Sequence, residues 1–467
     1  MAPTATLPAR LARTSPAAFS DGLLAGTRIA VIEPGYATKR FLYERARSSG
    51  VELVFVGDCG GWAHSLQEDG VAARLLDADT SGDPDQAAGR ILAALGDEAR
   101  RLDGVVTLWE DAVPATARVA RALGLPGTDP ATTDRARNKL RTLEASRAAG
   151  LPTPRFMHLR GRGSLAAAAE HVGFPAVIKP VFGSGALGCL RVDDLAALED
   201  AYALDSALIT PELNVIFHQG TDLMVEEYLD GTEFDVDMVL SGGECVFSAV
   251  SENWPTAEPY FVETGMHTPS SHSPERLRAM TDLAVGTALA LGFENGVLHT
   301  ELKDTSRGAR LLEINARLAG GVITDMHRFV TGVDLLEQQL LIAIGLPATP
   351  TPYPQPAGGA CGVFLNTSRS GNLTNALFLD HLHDDPSVIQ HDVLVEPGEP
   401  LTAAPDGFPT VIAEITVTGA DSTEAIAKAL AIVDELGLED MFGSSSSSRS
   451  ARAEVRTSTS DSKETWA

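Results

Sequence analysis

Residues 26–57 read GTRIAVIEPGYATKRFLYERARSSGVELVFVG, an unbroken apolar run, a stretch of helical spacing, then a second apolar run. This pattern predicts a strand at Ile29–Ile32, a helix, and a strand at Val51–Val56, the start of a β-α-β unit. GVVTLWE at 104–110 reads as a further strand, and a helix after it extends the α/β pattern to about residue 130. Asp129-Pro130 opens a helix predicted to run through Ala149 and to close at Gly150 and Pro152. Ala136, Leu140 and Leu143 share one of its faces, with Lys139 beside them. From 173 to about 320 strands predominate, with one clear helix at 275–291. LPATPTPYPQPA at 346–357 is a proline-rich joint, and a smaller α/β segment follows to about 440. The first twenty residues hold two Arg and no acid, a faintly transit-like pattern without the apolar core of a secretory signal, and residues 1–25 read as a disordered arm, as does the polar, serine-rich tail from 443. The expected units are therefore 26–130, 131–345 and 346–442.

Composition narrows the function classes. The chain has 467 residues, 44% hydrophobic and 21% charged, as soluble globular proteins do. It has no apolar run of the ~18 residues needed to span a membrane. The formal net charge of −27 opposes binding to nucleic acid by charge alone. An anionic substrate would need a local basic pocket or metal ions. Cys59, Cys189, Cys245 and Cys361 are scattered without a C-x-x-C pair, which fits a reducing cytoplasm.

FGSGALG at 182–188 has the glycine spacing of a dinucleotide fingerprint. That motif needs a strand before it and a helix opening at its glycines. PAVIKP at 175–180 supplies the strand, but CLRV at 189–192 reads as a second strand and the helix begins only near Asp193. The segment is a glycine hairpin. It is not a P-loop either, because Cys189 and Leu190 stand where Lys and Ser/Thr would be required. Lys179 precedes the glycines by four residues. A strand lysine behind glycines whose N–H groups are open suits phosphates; a plain turn with a surface lysine is the alternative.

GVLHTELKDTSRGARLLEINAR at 296–317 reads as two strands around a turn near Ser306–Arg307. Period two puts His299, Glu301 and Lys303 on one face, with Glu313 and Asn315 on one face of the partner and Arg317 just beyond. Glu301 and Glu313 then lie nearly opposite. Facing carboxylates are destabilising unless neutralised. One or two Mg²⁺ ions with Asn315 as a further ligand would neutralise them; ordinary charges on a solvated strand are the alternative. Between these motifs, MVEEYLDGTEFDVDMVL at 224–240 holds an extended segment that can offer backbone groups to an adenine edge and a carboxylate to ribose.

Together, Lys139 in NKLRTLEASRAAGLPTP, Lys179 before the glycine loop, EEYLDGTEF and ELKD…EINAR resemble the ATP-grasp superfamily of carboxylate–amine ligases. The resemblance covers about residues 26–440. It implies an α/β (α+β overall) fold: a Rossmann-like pre-grasp domain, an ATP-grasp domain and a small C-terminal lobe. It implies that Lys139 and Lys179 contact ATP phosphates and that Gly183, Ser184, Gly185 and Gly188 form a lid. Glu226, Glu227, Tyr228 and Leu229 would border adenine, with the backbones of Glu227 and Leu229 taking its edge, and Glu233 would hold the ribose. Glu301, Glu313 and Asn315 would hold magnesium, with Mn²⁺ able to substitute. Arg317 and Lys179 would be catalytic, Arg317 stabilising an acyl phosphate and the tetrahedral intermediate.

Within the superfamily, YFVETGMHTPS at 260–270 and RLAGG at 317–321 are similar to L-amino acid ligases, which make dipeptides. Glu263, His267, Arg317, Gly320 and Gly321 are the substrate candidates this implies. Many such ligases have His directly after E-T-G; here Met266 intervenes and His267 follows, so a solvent-facing loop histidine is as good a reading. The expected partners are a small carboxylate and an amine, with no nucleic acid or membrane, in a cytoplasmic enzyme that forms a homodimer. A biotin-carboxylase-like carboxylation and a nucleotide-binding module without chemistry are the competing readings.

Overall fold

The structure, a computed structural model, describes residues 22–320, 322–350, 358–367, 369–372, 379–403 and 409–436. The expected arm up to residue 21, Gly321, residues 351–357 of the proline joint and the serine-rich tail lie outside them.

The first unit is a parallel sheet in the order Ala72–Asp77, Glu52–Gly57, Arg28–Ile32, Gly104–Val106. Arg28–Ile32 is buried along its whole length. A strand covered on both faces by helices needs such a continuous apolar run. Pro84–Leu95 and Val113–Leu123 supply part of that cover. The strand predicted at 104–110 stops at Val106, and the chain then turns to carry Trp109 and Glu110 out of the sheet.

The helix expected from 130 to 149 is two helices, Pro130–Arg137 and Lys139–Ala148. Asn138 breaks it. Its backbone is extended and its side chain accepts from Arg141 N, capping the second helix. Lys139 thereby becomes the first residue of a helix rather than a mid-helix side chain.

Two antiparallel sheets follow. The smaller has the order Phe156–Leu159, Leu223–Glu227, Ala176–Pro180, Leu190–Val192. Ala176–Pro180 pairs antiparallel with Leu190–Val192, so the glycine segment is a hairpin. The helix after it, Leu195–Leu208, is capped by Asp194.

The larger sheet runs Gly308–Asn315, Gly296–Thr305, Thr232–Ser241, Glu244–Asn253, Gly265–Thr268, Gly359–Asn366, Val411–Gly419, Val388–Val393. Its last three strands come from the segment beyond the proline joint. The C-terminal lobe therefore extends the central sheet rather than building one apart from it. Pro274–Leu291, with Ser273 as N-cap and left-handed Gly292 as C-cap, covers the face carrying Phe234, Met238, Leu302 and Ile314. The opposite face carries polar side chains over Glu233–Asp237, while Val239 and Val297 at its other end pack against the helix Leu335–Ala343.

Candidate active site

The catalytic hairpin is shaped by one extra residue. Thr305 pairs with Gly308, and the register runs evenly to Leu302 opposite Leu311. The next pair is Glu301 with Glu313, so Leu312 is the additional residue of a β-bulge. Without it, Glu301 would face Leu312 and Glu313 would point to the other side of the sheet. The bulge brings both carboxylates to one face.

That face is richer than the sequence suggested. Asp235 pairs with Glu301 across the next strand, giving a row of three carboxylates, Asp235–Glu301–Glu313. The neighbouring row is Asp237–His299–Asn315. His299 Nδ1 lies 3.1 Å from Asp237 Oδ1, and His327 Nε2 lies 3.0 Å from Asp237 Oδ2. Burial opposes a charge on His299, but Asp237 overcomes it and raises the imidazole well above its ordinary value. Asp235 is raised well above the usual carboxylate range, by burial first and with Glu301 and Glu233 adding to it against His299. Glu233, opposite Lys303, is pushed up to about 7 by burial and then by the charge of Glu301.

Two lysines meet this face from other elements. Lys139 pairs with Glu313 and donates to Gly183 O at 3.1 Å. Burial alone would raise Glu313, but Lys139, Asn315 and Lys179 together hold it below its ordinary value. Lys179 pairs with Glu226 at 2.6 Å, both side chains almost fully buried. Glu226 keeps a buried oxygen, Oε2, without a hydrogen-bond partner. The glycine loop closes over these groups. Gly188 has φ +78°, and a Cβ there would stand 2.8 Å from Pro180 Cγ. Only glycine allows both that backbone and that approach.

Lys139, Lys179, Gly183, Ser184, Gly185, Glu226, Glu227, Tyr228, Leu229, Glu233, Glu263, Glu301 and Glu313 border one cleft of about 900 Å³, counted to its open mouth. Arg191 stacks over the Tyr228 ring at 4.5 Å, and Tyr228 OH donates to Glu258 at 2.7 Å. The Glu227 carboxylate is held by Arg155 and Arg307, each at 2.9 Å, which ties the adenine-side strand to the hairpin turn. Glu263 stands exposed at the mouth. The protein around it, then the charges of Glu301 and Glu233, push its carboxyl upward, although water reaching it moderates the effect.

Other candidates lie outside the cleft wall. Asn315 is buried beneath it and donates through Nδ2 to Glu313 at 3.0 Å and towards Glu301 at 3.5 Å. Rotating that amide by half a turn would present its oxygen to the same place. Arg317 is set against the first domain, its Nε 2.8 Å from Glu110 Oε2. Gly320 has open space where a Cβ would stand. Gly321 lies outside the described residues.

His267 is not at the cleft. It shares the face of Glu252 and lies 3.5 Å from that carboxylate, with Glu252 opposite Phe234 on the helix-covered side. Met266, paired with Asn253, occupies the catalytic face. The one-residue displacement of this histidine relative to E-T-G moves it through the sheet.

Acidic side chains in and beneath this cleft outnumber basic ones, and Glu226, Glu227, Asp235 and Asp237 among them are buried. That set suits hard divalent cations. Among the described residues no three His, Cys, Asp or Glu side chains are grouped as for a metal ion, so Glu301 and Glu313 would need the Asn315 amide, or a ligand, to complete a cation's shell.

A cleft between two antiparallel sheets, with two lysines behind a glycine hairpin and an acidic strand pair, defines an ATP-grasp protein. The ATP-grasp domain family matches residues 172–325, and the ATP-grasp N-terminal domain family matches residues 43–127. The chain belongs to the ATP-grasp superfamily. It is 30% identical over 436 residues to human carnosine synthase 1, covering 89% of this chain and 51% of that protein. It is 23% identical over 299 residues to the L-arginine-specific L-amino acid ligase of Bacillus subtilis, covering 64% of this chain and 70% of that one. The chain spans about half the length of the carnosine synthases of human and mouse. Among solved structures, the L-amino acid ligase from Bacillus licheniformis superposes with a TM-score of 0.77 at 24% identity, covering 88% of this chain and 98% of that chain. Among the described residues, no helix is long and apolar enough to cross a membrane.

The Glu233 shift has a consequence for stability. Its carboxyl titrates at about 7 when folded and 4.5 when unfolded. The folded chain therefore holds the extra proton between these values, and this group makes stability fall as pH rises through that window. Glu233→Gln should remove that loss. Measured by thermal unfolding without ligands, the difference between variant and wild type should grow more positive from pH 5 to 7.5, by roughly 1–3 kcal/mol. A difference independent of pH would contradict the shift.

Proposed function

We propose that the chain is an ATP-dependent carboxylate–amine ligase. It activates a carboxylate, an amino acid, as an acyl phosphate and joins it to an amine, releasing ADP and phosphate. The row Asp235–Glu301–Glu313 beside Lys139 and Lys179 carries this reading, because a site that only stored nucleotide gains nothing from a row of facing carboxylates. The kinship with carnosine synthase and with L-amino acid ligases supports the same reading.

In this account Lys139 and Lys179 bind the ATP phosphates, and the loop of Gly183, Ser184, Gly185 and Gly188 closes over them. The 227–229 backbone takes the adenine edge, beside Tyr228. Glu233 accepts from ribose hydroxyls, and Glu301, Glu313 and Asn315 hold the magnesium. Bound Mg²⁺ supplies charge neutralisation to the phosphates. Glu263 at the mouth binds the amino group of the amino acid. Arg317, fixed by Glu110, stabilises the negative charge that develops as the amine adds. Gly320 leaves room for the second substrate. The four thiols are free, which supports a cytoplasmic setting.

The test is phosphate release from ATP and Mg²⁺ with single amino acids and with pairs, products being weighed by mass spectrometry. Two substrates minus water, with ADP formed, is the expected product. A strict bicarbonate requirement would instead establish carboxylation.

A further inference from the structure

The catalytic face does not end at the metal carboxylates. From Asp235, which accepts from Asn253 Nδ2 at 3.1 Å, it passes to Asn253 and then by strand pairing to Met266, Gly362, Thr416 and Gln390, across six strands. One step along the outer strands, Phe364 pairs with Glu414 and Glu414 with Asp392. The C-terminal lobe therefore presents Glu414, Asp392, Thr416 and Gln390 on the same side of the sheet as Glu301.

This outer group is polar where a lobe would be expected to close with apolar residues, and it is unsatisfied. Thr416 is fully buried and its Oγ1 has no partner. Gln390 is 9% exposed; its Nε2 donates to Asp392 at 2.9 Å while its Oε1 has no partner. Glu414 Oε2 is buried without a partner too. Buried polar atoms are nearly always paired, so three orphans beside two facing carboxylates mark a place for a hydrogen-bond donor carrying positive charge.

Among the described residues no lysine or arginine is ion-paired with Glu414 or Asp392. The charge of Lys39, on the first domain, acts on Glu414, yet its ammonium is in none of the ion pairs of the described residues. Burial, then the charge of Arg317, lowers Lys39 to about 7 against the pull of Glu414 and Glu110. The charges of Arg317 and Glu414 both act on Lys39, and that of Glu414 also acts on Glu263 at the mouth of the cleft. Val322 packs onto Gly362, whose Cβ would stand 2.3 Å from Val322 Cγ2, so the row is covered at that point.

We propose that Glu414, Asp392, Gln390 and Thr416 form the far end of the amine-substrate site and receive a cationic group at the tail of that amine. An ammonium, guanidinium or imidazolium would satisfy them, so the acceptor class is basic amino acids and diamines. This rests on the ligase reading given above. Glu414 and Asp392 determine specificity and do not touch the reacting atoms.

Lysine and norleucine, alike except for the terminal ammonium, discriminate the idea. With the full chain, ATP, Mg²⁺ and one common donor, amide formation should favour lysine. Glu414→Gln and the double variant Glu414→Gln/Asp392→Asn should lower the lysine-to-norleucine ratio of kcat/KM by roughly ten- to a hundredfold, as loss of a buried charge pair does. Equal losses with both acceptors, or a wild type that prefers norleucine, would overturn the proposal. Calorimetry on the same proteins separates the two readings. If no amide forms with any pair, the ligase reading falls, while lysine binding to wild type but not to the double variant still supports a cation site. Lysine binding no tighter than norleucine would overturn it.

Discussion

Replacing Arg317 by Ala should lower amide formation by roughly a thousandfold, the scale on which loss of a donor to a developing oxyanion is felt. ATP affinity should stay within about threefold, because the effect is on the transition state rather than on nucleotide binding. Arg317 lies outside the wall of the nucleotide cleft, anchored by Glu110 at 2.8 Å and by its own Nη1 to Leu318 O at 2.8 Å. The anchoring matters, since a guanidinium held before the reaction need not be reorganised during it. Removal leaves Glu110 facing Arg137 at 4.0 Å, so that carboxylate keeps a compensating charge and the fold should survive. Arg317→Lys should recover only part of the rate, because one ammonium cannot reproduce the planar fork. Unchanged turnover in Arg317→Ala, with equal ATP affinity, would remove this residue from the chemistry.

The second large effect is at the hairpin. Glu313→Gln keeps the shape of the side chain and removes its charge. Amide formation should fall by more than about a hundredfold, and the Mg²⁺ concentration for half-maximal ADP release should rise by about tenfold. Lys139 loses its partner but retains the hydrogen bond to Gly183 O at 3.1 Å, so the lid remains tethered. Lys139, Asn315 and Lys179 hold the ionised Glu313 below its ordinary value, so the variant should also unfold at a lower temperature without metal, and the Mg²⁺ dependence is compared at a temperature where both proteins are folded. A variant whose Mg²⁺ dependence matches wild type would show that Glu313 holds Lys139 rather than a metal.

The reasons these residues could be found in the sequence are local. A two-residue turn fixes a hairpin, so DTSRG alone places Glu301 and Glu313 nearly opposite, one residue off the regular register that would set Glu301 against Leu312. The glycine hairpin was legible because a strand, not a helix, follows Gly188. The bulge at Leu312 was not, since Leu311 and Leu312 are both apolar and either could face the core. Asp235 and Asp237 stood in plain alternation in FDVDMVL. They gained meaning only when Thr232–Ser241 proved to lie beside the hairpin. His267 failed as a substrate candidate for the same reason that Met266 gained a place: strand parity across Gly265–Thr268 is set by partners far away, Glu252 and Cys361. The joining of the C-terminal strands to the central sheet was likewise hidden, because pairing of His267 with Cys361 leaves no mark in either segment. At Asn138 the helix signal is strong on both sides, and the break comes from a short polar side chain that caps the second helix rather than from a Gly or Pro.

The acyl phosphate is the centre of the account, and oxygen tracing tests it most directly. The carboxylate substrate is prepared with ¹⁸O in both oxygens and turned over with ATP, Mg²⁺ and the amine. The carboxylate oxygen that attacks the γ-phosphorus stays bonded to it when the amine displaces phosphate, so one ¹⁸O atom should appear in each inorganic phosphate released. Phosphate free of ¹⁸O, with amide formed, would contradict the mechanism, because the carboxylate would then never have been joined to phosphorus.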